Sequence, residues 1–148
     1  MEKIKIDAGE WIVVCDGRKA LILENRGDNK FPNLRTKEVY EHKAPSTSAL
    51  GTDAPGRVHQ SANIARSAVA QTDWHDAAER EFLEVLARRL DEALAREEVK
   101  KLVMVASPRA LGMLRPMYSA RLRRSMQKEI GKDFVKMPIH EIERQLVG

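Results

Sequence analysis

A single cysteine, Cys15, is all this sequence holds. No intramolecular disulfide can form, and no oxidising compartment is needed. Aromatic residues make up only 5%, which argues against a base-stacking platform of the kind that grips single-stranded nucleic acid. Long apolar runs are missing too, and nothing approaches the roughly 20 residues a membrane-spanning helix needs. The first ten residues alternate charged and apolar types and contain no apolar stretch of a secretory leader. Together these absences place the expected location in the cytoplasm. The four histidines, His42, His59, His75 and His140, never stand at i,i+4, so zinc-motif spacing is absent. Neither a metal nor a cofactor is expected. There is no phosphate-loop or dinucleotide fingerprint, and Ser107 lacks the flanking glycines of a nucleophile elbow.

What is present suits one globular α/β domain spanning residues 1–148. Hydrophobic residues are 43% and charged residues 32%, enough apolar material for a core. The net charge of +4 is unevenly placed. Residues 1–106 carry 17 basic and 18 acidic side chains, whereas residues 107–148 carry 9 basic and 4 acidic ones. A basic final third can mark a face that attracts phosphate; it can equally be a solvated helix face.

Trp11 to Cys15 is a run of β-type residues, and Asp16-Gly17 after it is a strong turn signal. Ala20 to Glu24 reads as the returning strand of an antiparallel hairpin. Leu34 to His42, beyond a second turn region, reads as a third strand exposed on one face. Residues 43–75 are rich in Ser, Thr, Pro, Gly, Asp, Asn, Gln and Ala and read as a long polar loop. Asp76 and Glu79 have capping-box spacing, which predicts a helix from there to about Arg96. Its apolar stripe runs through Phe82, Leu86, Leu90 and Ala93. Leu102 to Ala106 is apolar on both faces, as in a buried central strand. Ser107-Pro108 opens a further helix, expected over Arg109 to about Leu122. Ser125 to Ile130 extends that helix or forms a strand, and a last short helix starts near Pro138. The fold expected is a mixed β-sheet with an N-terminal antiparallel hairpin or meander, then a βαβ-like half, with helices packed on the sheet.

Phosphate or ligand binding is the chemistry these residues favour most. Asp16-Gly17-Arg18 is a tight basic turn. Asp53, Gly56 and Arg57 form a second Gly-containing turn ending in arginine. Arg109 stands at a helix N-terminus, where free amides favour anions, and Arg115, Arg121, Arg123 and Arg124 add positive charge. The plainer readings are a hairpin turn for Asp16 and Gly17, an anchored loop for Asp53 to Arg57, and a packed small residue for Cys15, whose neighbour Asp16 would raise a thiol pKa. Trp74 is the one aromatic of the long segment and either stacks on a ligand or tucks under the helix.

Several passages in order resemble the bacterial family of proteins required for attachment to host cells. They are Trp11 to Ala20, Asp53-Ala54-Pro55-Gly56-Arg57, the Phe82 to Leu90 helix, Leu102 to Pro108, Leu111 to Arg115, and Glu129 to Asp133. Cys15 stands where the family is expected to have a small residue such as alanine. The family is similar, more distantly, to the middle domain of eukaryotic and archaeal peptide-release factors. That likeness implies an α/β fold and contact with RNA or the ribosome, but not peptide release, because no Gly-Gly-Gln tripeptide occurs.

Three functional expectations follow. The first is a non-enzymatic binding or adaptor protein that meets RNA, the ribosome or an acidic protein partner through the basic C-terminal third. The second is a phosphate-ester hydrolase built around Asp16, Asp53 and His59. The third is a homo-oligomer formed through the open edge of the hairpin.

Overall fold

The computed structural model describes residues 2–42 and 64–148, with side chains from His75 onward in the second stretch. Five strands form one mixed sheet: β1 (Trp11–Cys15), β2 (Lys19–Asn25), β3 (Leu34–Glu41), β4 (Leu102–Ala106) and β5 (Met126–Gly131). Their order across the sheet is β3-β2-β1-β4-β5. β1 to β3 form an antiparallel meander, and β1, β4 and β5 run parallel.

Every residue of β1 and β4 is buried, because these central strands are covered on both faces. The pleat sends Trp11, Val13, Cys15, Leu102, Met104 and Ala106 to one face. There they meet three helices: α1 (Ile64–Ala95), α2 (Pro108–Leu114) and α3 (Ala120–Ser125). Ile12, Val14, Val103 and Val105 point the other way, against Phe134, Val135 and α4 (Ile139–Val147).

The hairpin, the buried strand and the α/β architecture are as expected. Two expectations change. The helix expected to open at Asp76 already includes Ile64, so residues 64–75 are helical where a polar loop was expected. Alanine at 65, 68, 70, 77 and 78 favours helix without supplying large apolar anchors. Asp76 and Glu79 therefore lie inside α1, where their i,i+3 spacing places them on one face. Secondly, the helix expected over Arg109 to Leu122 is broken. Pro116 withdraws a backbone donor, and a 3-10 turn (Arg115–Met117) separates α2 from α3. Ser119 recaps the chain, its Oγ accepting from Leu122 N at 3.0 Å. Of the two readings of Ser125 to Ile130, the strand is the one formed: Met126–Gly131 is β5, at the sheet edge.

Two polar hubs pin the frame. Arg89 of α1 holds Glu38 of β3 (Nε 3.0 Å, Nη2 2.6 Å) and Glu98 beyond the helix (Nη2 3.0 Å). Its guanidinium also lies 5.7 Å from the Trp11 ring centroid. Hydrogen bonding to Arg89 holds the Glu38 and Glu98 carboxyls below their ordinary values. Asn25 is 1% exposed. Its Nδ2 donates to the carbonyls of Ile6, Asp7 and Asp28, and its Oδ1 accepts from the amides of Gly27 and Asn33.

Candidate functional site

From its central position the chain leaves β1 toward β2 and leaves β4 toward β5. The crevice outside the carboxyl ends of β1 and β4 is thus the place where open α/β sheets carry ligands. Asp16 and Gly17 follow β1 there, and Ser107 to Arg109 follow β4. The two ends are tied by Ser107 N donating to the Cys15 carbonyl at 3.2 Å.

Asp16 caps its own turn, its Oδ1 accepting from the amides of Arg18 and Lys19 at 2.8 Å each. Gly17 is buried against α1: a Cβ added to it would stand 2.5 Å from Glu79 Oε1. Glu79 in turn accepts from Arg109 Nε at 3.2 Å, and Arg109 also pairs with Asp76. These two carboxylates raise the Arg109 pKa, Glu79 contributing most. Ser107 caps α2, its Oγ accepting from Ala110 N at 3.3 Å. Cys15 beneath the turn is buried, its thiol pushed up to about 12 by burial first and by Asp16 and Asp133 after it. It packs against Met104, sulfur to sulfur 4.0 Å, and is no nucleophile at neutral pH.

Of the expected site residues, Asp16, Gly17 and Arg109 gather at this end of the sheet. The Arg18 side chain is exposed on the same turn, and its carbonyl accepts from His42 N at 2.7 Å. Asp53, Gly56, Arg57 and His59 lie outside the described residues, as does the Trp74 side chain. Arg115 belongs to a second place. It pairs with Glu129 of β5 at 3.4 Å, beside a cleft of about 410 Å³ whose lining includes Tyr118, Arg123, Met126 and Lys128. The Arg123 guanidinium lies over the Tyr118 ring, 6.0 Å from its centroid, and Nη2 donates to the Arg115 carbonyl at 3.1 Å. Burial, with Glu129 beside it, raises the Tyr118 hydroxyl pKa.

This second surface carries the basic surplus of the final third. From Arg109 to Lys128 there is no acidic residue, while Arg109, Arg115, Arg121, Arg123, Arg124 and Lys128 are all basic. The balancing carboxylates come from elsewhere: Asp91 for Arg121 at 3.5 Å, Glu129 for Arg115, and Glu2 for Lys128 at 3.9 Å. Arg124 is exposed and carries no ion pair among the described residues. Among these residues there is also no cluster of three or more His, Cys, Asp or Glu able to hold a metal ion. No helix there is long and apolar enough to cross a membrane.

A comparison with curated proteins returns no match. A family model described as "Protein required for attachment to host cells" matches residues 11–146, from the first strand to the last helix. The chain therefore belongs to the family of proteins required for attachment to host cells.

Proposed function

We propose that this host-attachment family chain works by binding rather than by catalysis, and that its partner is RNA met through the surface of α3 and β5. One observation carries the reading: the acid-free stretch that runs on from Arg109 to Lys128 supplies five further cations, Arg115, Arg121, Arg123, Arg124 and Lys128. Arg115, Arg123 and Lys128 of that stretch surround one cleft beside the edge strand. The pairs that Arg115, Arg121 and Lys128 make are partly exposed. Such pairs are worth only about 0–1 kcal/mol each, so a polyphosphate can displace them. The family's more distant likeness to the middle domain of peptide-release factors points the same way. On this reading the chain acts as a single α/β domain in the cytoplasm, and its effect on attachment is indirect.

The rival, a phosphate-ester hydrolase around Asp16, has less behind it. Oδ1 of Asp16 already serves two amides of its own turn, and Arg109 is occupied by two carboxylates.

Filter binding to single-stranded RNA across a salt series tests the proposal. Log affinity should fall linearly with log salt, with a slope of about −0.7 per phosphate contacted. The Arg123→Glu/Arg124→Glu double variant should lose about tenfold or more in affinity at low salt. Undetectable binding at low salt, or binding without a salt slope, rejects it and leaves an acidic protein as the partner to seek.

A further inference from the structure

Arg123 differs from its basic neighbours. Arg109, Arg115, Arg121 and Lys128 each meet a carboxylate. Arg123 meets none among the described residues, yet its guanidinium is fixed. It lies over the Tyr118 ring, 6.0 Å from the centroid, and Nη2 donates to the Arg115 carbonyl at 3.1 Å. Tyr118 is itself anchored, 9% exposed within the core on the α1 face of the sheet. Arg124, the other arginine of α3 without an ion pair among the described residues, makes neither contact.

The Arg123 side chain stands at the surface and lines the α3–β5 cleft together with Met126 and Gln127. The cleft volume of about 410 Å³ lies within the range of small-molecule sites. A guanidinium is flat, delocalised and weakly hydrated, so it stacks on aromatic rings as an ammonium does not. Tyr118 backs Arg123 on one side, and the exposed side is left for a second flat ring.

We infer that Arg123 is a stacking platform for one unpaired RNA base. The base lies on the guanidinium in the cleft. The phosphates flanking it draw Arg115 and Lys128 out of their weak pairs with Glu129 and Glu2. This inference rests on the RNA reading above and adds the form of RNA that the surface takes. A single-stranded segment or loop can splay a base out, whereas a duplex keeps its bases stacked inside. Aromatic residues are too few here for a platform of rings, and a guanidinium backed by one tyrosine supplies the missing flat surface.

The experiment compares two single strands of about 12 nucleotides, equal in length and charge: oligoadenylate and a fully abasic strand. The full chain should bind oligoadenylate about tenfold more tightly than the abasic strand. Arg123→Lys keeps the charge and removes the plane. It should bind oligoadenylate about five- to tenfold more weakly than the parent, with an unchanged salt slope, and show no such loss on the abasic strand. Equal affinity of the parent for both strands overturns the stacking role and leaves the RNA reading standing. So does an Arg123→Lys variant that loses nothing, or loses equally on both strands. Binding of neither strand at low salt rejects the RNA reading and this inference with it.

Discussion

Asn25 shows how much one side chain can hold. It sits where β2 ends, and its amide satisfies five backbone groups from three stretches of chain. Replacing it with leucine keeps the approximate volume, removes all five bonds and strands four of the groups, because the Asp7 carbonyl still accepts from Glu10 N. Each stranded buried group costs about 1–3 kcal/mol where water cannot reach it. Asn25→Leu should therefore destabilise the chain by about 4 kcal/mol in urea unfolding. Asn25→Asp should also destabilise, since a carboxylate cannot donate to three carbonyls. Glu10 presents the opposite case. Its side chain is buried, Oε1 accepts from Asp7 N at 2.9 Å, and Oε2 has no partner. Burial raises its pKa above the ordinary 4.5, with Lys101 acting against the shift. The folded chain then keeps this proton to higher pH than the unfolded chain does. The stability so gained is complete below 4.5 and is lost as pH rises through the raised value. Glu10→Gln should gain on the parent at neutral pH, and the gap should close in acid, as urea midpoints across pH will register.

Helix ends depend on backbone geometry that sequence patterns render unevenly. α1 stops in a Schellman motif: Glu98 N donates to Ala93 O at 2.9 Å and Glu97 N to Leu94 O at 3.1 Å. Glu97 takes φ 60 to make it, a conformation that costs a side-chain-bearing residue roughly 1–2 kcal/mol. Glu97→Gly should stabilise the chain by up to about 1 kcal/mol after glycine's extra unfolded-state entropy, read as a rise in Tm. The same helix shows where local reading fails. Its apolar stripe from Phe82 to Ala93 was plain because large residues recur at the helical period. Its first turns were not, because small and polar residues there resemble a loop. Asp76 and Glu79 had the spacing of a cap, yet that spacing also lets two carboxylates share one arginine, and Arg109 supplied the competing use. The Ser107 cap was legible because the serine, the proline and the apolar strand before them are contiguous.

At the scale of the molecule, the sheet class was readable and the sites were only partly so. Doubly buried strands declare themselves by unbroken apolar runs, as Trp11 to Cys15 and Leu102 to Ala106 do. Sites assembled across the chain do not. Glu38, Arg89 and Glu98 converge from three places. The turn at Asp16 was found, but that Gly17 packs against Glu79 depends on where α1 lies. The charge surplus of the last third was visible as a count, whereas its offset by Asp91 and Glu2 needed the fold.

The pairing of β1 with β4 joins Trp11 to Leu102 and Cys15 to Ala106. β1 leaves the ribosome before its parallel neighbour, which follows some ninety residues later. The hairpin must wait with one apolar edge unsatisfied. Topologies dominated by such distant contacts fold slowly and expose sticky surface meanwhile. A fragment covering residues 1–100 should form aggregates, detectable by light scattering, under conditions in which the full chain stays dispersed. In a growing cell, then, synthesis of this chain should lean on holding factors that shield the nascent hairpin until its distant partner strand arrives.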